Sequence, residues 1–355
     1  MLRSSRLWRQ AIPAVLAVTL AGACSSSKSS TTPTTAAVKV SGTLNGSGST
    51  FQAAYDQLAI QNFQQANPGT TVNYQSKGSG AGQTDLQNAV VDFAGSDATV
   101  PPANVGNFKG QLLYFPTVVA PITVSYNLSG VSSLQLSAAT VAEIFAAKIT
   151  NWNDPAIAAD GNTGLPNTPI TVVHRSDSSG TTQNFTDYLN KADPADWTLG
   201  SSKTINWPGN TVAGNGNTGV ASAIKAKSGA IGYVDFSDAK AGGLVWAKIK
   251  NSAGNVVDAT LDGASAAAAA ATVSSTLTYD PANSSGAQAY PITSETYIIT
   301  YAKYSDAGKV ALLKAFLSYI LGPGGQGAAT GVNFAPLPQA LDQQALTQVD
   351  QITAG

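Results

Sequence analysis

Ile170-Thr171-Val172-Val173 leads through His174 into Arg175-Ser176-Asp177-Ser178-Ser179-Gly180-Thr181, after which residues 181–190 turn helical. The β-branched run predicts a strand, the Ser/Gly cluster a tight loop and the periodic segment a helix. The same order occurs twice earlier. Gly46-Ser47-Gly48-Ser49-Thr50-Phe51 follows a short strand-like run and opens a helix over 51–66. Gly78-Ser79-Gly80-Ala81-Gly82 lies between a strand at 72–75 and a helix at 83–90. A fourth unusual segment is Asp92-Phe93-Ala94-Gly95-Ser96-Asp97.

Outward from these segments, 118–126, 231–234 and 296–301 read as strands, and 139–147, 217–227, 308–321 and 338–348 as helices. In 308–321, Val310, Leu313, Phe316, Leu317 and Ile320 share one face at helical spacing. Gly322-Pro323-Gly324-Gly325 stops that helix. Residues 251–288 are rich in Ala, Ser and Gly, with a helix expected around 267–271. Alternating strands and helices predict an α/β architecture.

The chain has 355 residues, 43% of them apolar, enough for a sizeable core. Its length suits about two domains. Only 11% of residues are charged, and the net charge is −1. No cationic excess is available for phosphodiesters, which excludes a basic nucleic-acid binder. Low charge excludes a highly charged disordered chain. Cys24 is the only cysteine, which excludes a disulfide scaffold.

Arg3, Arg6 and Arg9 precede a short apolar run over 11–23, which predicts a removable leader at 1–23 rather than a membrane span. Leu20-Ala21-Gly22-Ala23-Cys24 resembles a bacterial lipobox, and the resemblance implies cleavage before Cys24 and diacylation of its thiol. Residues 24–39 then read as a polar low-complexity tether. Its 13 residues from 25 to 37 reach roughly 45 Å when extended. Removal of the three leader arginines leaves 16 of the 19 basic residues against 20 acidic ones, a net charge of −4. An anion ligand therefore needs a locally built site.

Strand–loop–helix junctions can build one. The first N–H groups of a helix have no internal partner, and aligned peptide dipoles leave partial positive charge there. Glycines let backbone approach a ligand, and Ser and Thr hydroxyls add donors. Such ends bind phosphate-like anions. Arg175 beside one loop can fork onto two anion oxygens, with Asp177 holding the guanidinium. A carboxylate such as Asp97 suits an anion site when the ligand carries a proton to donate. Protonated phosphate does; fully ionised sulfate does not, and acceptor then faces acceptor.

At these residues the chain resembles the substrate-binding proteins of bacterial phosphate ABC transporters. The stretches GSGSTF (46–51), VNYQSKGSGAG (72–82), VDFAGSDA (91–98), FPTVVAPITVSYN (115–127), RSDSSGT (175–181), GNTGVASAIKAKSGAIGYV (216–234) and YPITSETYII (290–299) occur in family order. The resemblance implies a two-lobed periplasmic-binding-protein fold of type II, with lobes at 40–126 plus 289–355 and at 127–288. It implies phosphate contacts from Thr50, Phe51, Ser79, Asp97, Arg175, Ser179, Gly180 and Thr181, with Asp177 in support. It further implies capture outside the cytoplasm by a monomer anchored to the cell membrane through Cys24. Delivery would be to permease subunits with a separate ATPase, since no G-x-x-x-x-G-K-[ST] motif is present. Ser49 stands where Ala is frequent, Gln52 where Pro is frequent, and His174 where another Arg is often found.

Two other functions compete. A secreted serine hydrolase or phosphatase would use His174, the sole histidine, with a nearby serine and Asp177. No G-x-S-x-G elbow supports it. One His and one Cys offer no His/Cys metal cluster, and neither metal nor cofactor is expected. A surface adhesin or sensor on the same fold, binding phosphate without transport, is the third.

Overall fold

The computed structural model describes residues 40–355; the leader at 1–23, Cys24 and the tether at 24–39 lie outside the described residues. The elements that position the site are strands β1 (Gly42–Gly48), β2 (Thr70–Ser76), β3 (Phe93–Ser96) and β4 (Leu112–Asn127), with helices α1 (Ala53–Ala66) and α2 (Ser79–Gln87). They continue with β5 (Thr171–Arg175), α3 (Gly180–Ala192), β6 (Thr211–Gly214), α4 (Gly216–Ala226), β7 (Ala230–Asp235), β8 (Thr293–Tyr301) and α5 (Ala307–Leu321).

A nine-stranded sheet runs β2-β1-β3-β8-β4-β7-β5-β6, with the short strand Val245–Trp246 paired to β4. β1, β2 and β3 are parallel, as are β5, β6 and β7; β8 runs antiparallel to β3. The 16 residues of β4 join the two halves. Its first part, Leu112 to Pro121, pairs antiparallel with β8, and Ile122 to Asn127 pairs antiparallel with β7. The sequence pattern predicts only 118–126 here, but β-branched and aromatic residues fill the whole strand and all but its ends are buried. Proline cannot donate to a ladder, and both prolines of β4 sit where the ladder is irregular. Pro116 faces Tyr297 beside a register shift, and Pro121 precedes the change of partner.

The helices form close to the predicted spans. In α5 all five predicted apolar residues are buried, and Phe316 packs edge-on against Phe63 of α1 with ring centroids 5.3 Å apart. One expectation shifts. α2 starts at Ser79, so the Gly/Ser segment at 79–82 is the first turn of the helix rather than a loop before it. Within 92–97, for which the sequence pattern named no element, Phe93 to Ser96 form buried strand β3. Among the described residues, no helix is long and apolar enough to cross a membrane.

Candidate functional site

The carboxyl ends of β1, β2 and β3 meet those of β5 and β6. Asn184 of α3 donates to the Asp97 carbonyl at 2.6 Å and to Ser294 Oγ at 2.8 Å. The Gly80 N–H donates to the Ser178 carbonyl at 3.0 Å, and Asn217 of α4 reaches Thr50. Carboxyl ends of parallel strands are the usual place for ligands in open α/β sheets. Four strand–loop–helix junctions, those that open α1, α2, α3 and α4, converge here.

Asp97 follows β3 and is 1% exposed. Ser49 Oγ donates to its Oδ1, and Ser79 Oγ to its Oδ2 at 3.3 Å, while the Asp97 N–H donates back to Ser79 Oγ at 3.2 Å. Burial is the main cause that pushes Asp97 up to about 7; the Ser49 hydroxyl, the Arg175 charge and the Ser79 hydroxyl oppose it. Gly180, the first residue of α3, packs against this carboxyl. A Cβ there would lie 2.5 Å from Ser79 Oγ and 2.7 Å from Asp97 Oδ2, so only glycine permits the approach.

Arg175 ends β5 with its side chain 1% exposed. Its guanidinium forks onto Asp177: Nε donates to Oδ1 at 2.8 Å and Nη2 to Oδ2. Nη1 donates to Thr181 Oγ1 at 3.3 Å. Asp177 Oδ1 also accepts from the Gly216 N–H at 3.0 Å, tying this loop to the start of α4. Burial would raise the Asp177 carboxyl, but the Arg175 hydrogen bonds and charge outweigh it and hold the group below its usual range.

Ser179 is the N-cap of α3, its Oγ accepting from the Thr182 N–H at 3.1 Å, and its own N–H donates to the Lys203 carbonyl at 3.0 Å. The N–H groups of Gly180 and Thr181 in that first turn have no helical carbonyl to meet. The Phe51 N–H donates to Ser49 Oγ at 3.0 Å, so the hydroxyl of Ser49 serves the loop and Asp97 together.

Asn217, which opens α4, is a site residue that motif reading misses. Its Nδ2 donates to Thr50 Oγ1 and to Thr181 Oγ1, each at 3.1 Å. Thr181 Oγ1 accepts from Arg175 and Asn217; Thr50 Oγ1 accepts from the side chain and the N–H of Asn217. A hydroxyl whose lone pairs face donors directs its proton elsewhere. Both threonines can therefore donate to an acceptor oxygen. The signal for Asn217 was present in Gly214-Asn215-Gly216-Asn217, another strand end that opens a helix. Ser49 stood out only as a departure from the family pattern.

The competing serine-hydrolase reading finds no support in the geometry. His174 and Arg175 alternate across β5, so the imidazole leaves the site. It stacks on Trp207 with centroids 5.4 Å apart, and its Nδ1 lies 2.9 Å from the Arg175 carbonyl. Ser179 turns its hydroxyl to the helix N–H groups, and Asp177 holds Arg175 rather than the histidine.

A family model described as a PBP superfamily domain matches residues 33–323. Phosphate-binding protein PstS 3 of Mycobacterium leprae is 36% identical over 326 residues, 87% of each chain. Phosphate-binding protein PstS of Pasteurella multocida is 35% identical over 316 residues, covering 86% of this chain and 89% of its own. Among solved structures, the high affinity periplasmic phosphate-binding protein PfluDING, bound with phosphate, superposes with a TM-score of 0.72 at 26% identity. That likeness covers 86% of this chain and 94% of the other. A phosphate binding protein from Stenotrophomonas maltophilia gives a TM-score of 0.68 at 26% identity, covering 87% and 94%. These relatives are named as phosphate-binding proteins, and the chain shares their α/β periplasmic-binding-protein fold. The chain belongs to the PBP superfamily and, within it, to the family of substrate-binding proteins that includes the PstS phosphate-binding proteins.

Proposed function

We propose that this protein binds inorganic phosphate at the junction of β1, β2, β3 and β5 and delivers it to an ABC-type permease whose ATPase is a separate subunit. Thr50 donates its backbone N–H and hydroxyl, and Phe51 its N–H on turning from Ser49 Oγ to the anion. Ser79 turns its hydroxyl proton from Asp97 to the anion, Ser179 donates its hydroxyl, and Gly180 and Thr181 donate from the start of α3. Arg175 supplies the counter-charge, steadied by Asp177. Asp97 accepts the proton of the ligand. Hydrogen bonds to charged groups contribute about 1.5–3 kcal/mol each, so a handful supports micromolar or tighter binding without bulk positive charge.

The observation that carries this reading is one buried junction that holds both Arg175, forked onto Asp177, and a second carboxyl, Asp97, met by the hydroxyls of Ser49 and Ser79. A site for any anion would gain nothing from Asp97; a site for a proton-bearing anion does. The family relationship supports phosphate as that anion. The two halves of the sheet then act as lobes, 40–126 plus 289–355 and 127–288, hinged through β4. The protein works as a monomer outside the cytoplasm, held to the cell membrane by diacylated Cys24. Titration calorimetry with phosphate and then sulfate tests the ligand: tight phosphate binding with weak or absent sulfate binding is expected, and equal affinity for both would refute Asp97 as proton acceptor. Cys24→Ala should move the protein from the membrane fraction to the medium. Loss of growth on limiting phosphate in a deletion strain separates transport from sensing.

A further inference from the structure

Behind the loop that carries Ser49, Thr50 and Phe51 lies a carboxyl that the site above does not use. Asp56, in the first turn of α1, is 2% exposed. Gln52 Nε2 donates to its Oδ2 at 2.8 Å. The other two oxygens of this pair, Asp56 Oδ1 and Gln52 Oε1, are buried acceptors with no donor. Buried polar atoms are rarely left so, because the full desolvation cost then goes uncompensated. One proton on Asp56 changes the account by making an acceptor into a donor. An acceptor is at hand in the Tyr74 hydroxyl, which lies beside Asp56 and gives its own proton to the Ser49 carbonyl at 2.9 Å; the orphan Gln52 Oε1 belongs to the side chain already bonded to Asp56.

We infer that Asp56 is held as the neutral acid, and that its proton, passed on through Gln52 and Tyr74, positions the loop of Ser49, Thr50 and Phe51 for the anion. This rests on the phosphate reading above. An ionised Asp56 offers no donor to Tyr74 or Gln52, and it adds a negative charge behind Asp97 where a phosphate oxyanion must approach. Asp56 is a positioning residue: it touches the loop and not the ligand.

The titratable groups facing Asp56 are Asp97 at the end of β3, Tyr74 from β2 and its neighbour Tyr55 on α1. No lysine or arginine forms an ion pair with it among the described residues. Burial, chiefly, pushes the Asp56 carboxyl up to about 7; the Gln52 amide opposes this, the Asp97 charge adds to it, and the Tyr74 hydroxyl opposes it as a donor to the ionised form. The change of state therefore falls in an accessible pH range.

The experiment compares phosphate dissociation constants of the wild-type protein and Asp56→Asn from about pH 6 to about pH 9. Asparagine keeps the shape and a donor but cannot ionise. The ionisation of phosphate is common to both proteins and cancels in the ratio, which leaves the charge on Asp56 and its effect on Asp97. Wild-type binding should weaken relative to the variant by about tenfold across that range. Parallel curves would overturn the inference. Carbon NMR of the assigned Asp56 carboxyl in wild-type protein without phosphate gives a reading that needs no variant. A midpoint near neutrality is expected, and one in the ordinary carboxylate range overturns the inference even if Asp56→Asn fails to fold. Absence of phosphate binding by the wild type at every pH would instead sink the functional reading, while the NMR midpoint still judges the neutral acid.

Discussion

Asp97 and Asp177 face each other across one junction, yet they titrate in opposite directions. Asp97 receives two serine hydroxyls and lies deep in the core, and burial lifts it to about 7. Asp177 receives the Arg175 fork and the Gly216 N–H, and these hold it below its usual range despite burial. A neutral donor lowers the proton affinity of a buried carboxyl less than a guanidinium does. The same residue type thus serves two ends. Asp177 is a permanent anion that fixes the guanidinium; Asp97 is a proton acceptor that a ligand must satisfy.

Their linkage to stability has opposite sign as well. Asp97 keeps its proton in the fold after the unfolded chain has lost it, so its contribution declines as pH rises from the ordinary carboxylate range to about 7. The depressed Asp177 contributes stability that is present above the ordinary range and lost as pH falls through its folded value.

Arg175→Ala breaks the comparison most severely, since it removes the cation that separates the two carboxyls. Phosphate affinity should fall by about a hundredfold or more, because two charge-assisted hydrogen bonds go. Calorimetric titration measures it, and near-wild-type heats would dissociate Arg175 from the ligand. Asp97→Asn makes the two sides unlike in a second way. It should weaken phosphate binding by about tenfold and relax rejection of sulfate, read by competition binding. The same variant should raise the ligand-free melting temperature at pH 8 by a few degrees and leave it little changed near pH 5, since only the ionisable carboxyl pays for burial at the higher pH.

Asn217→Ala sharpens the comparison by cutting the link between Thr50 and Thr181. The two lost neutral hydrogen bonds, of about 1 kcal/mol each, predict a loss of affinity of up to roughly thirtyfold, measurable by the same titration. His174→Ala is the control on the other face of β5. Phosphate affinity should stay within about twofold, with a small drop in melting temperature from the lost stacking on Trp207. A large loss of affinity there would revive a role for the histidine.

Much of the molecule is legible along the chain. Strand–loop–helix order, the apolar face of α5, the Gly/Ser segments and the isolated Arg175 and Asp97 are all local patterns. Local patterns suffice where a property depends on neighbours in sequence: helix periodicity, β-branching, glycine before a helix start. Reading failed where the partner is remote. Asn217 meets Thr50 across 167 residues, Asn184 meets the Asp97 carbonyl across 87, and Ser49 meets Asp97 across 48. Nothing in the spacing of such residues names the partner. The true length of β4 is of this kind too, because its extension is paid back by β8 and β7, not by its own sequence.

Residue order alone determined which side chains and which orphan amides were available for a small anion, because these follow from helix starts and strand ends. Folding alone decided which carboxyl would hold a proton. That choice depends on what surrounds Asp97, Asp177 and Asp56 in three dimensions: depth from water and the charge of the nearest donor set proton affinity, and neither is written at the residue itself.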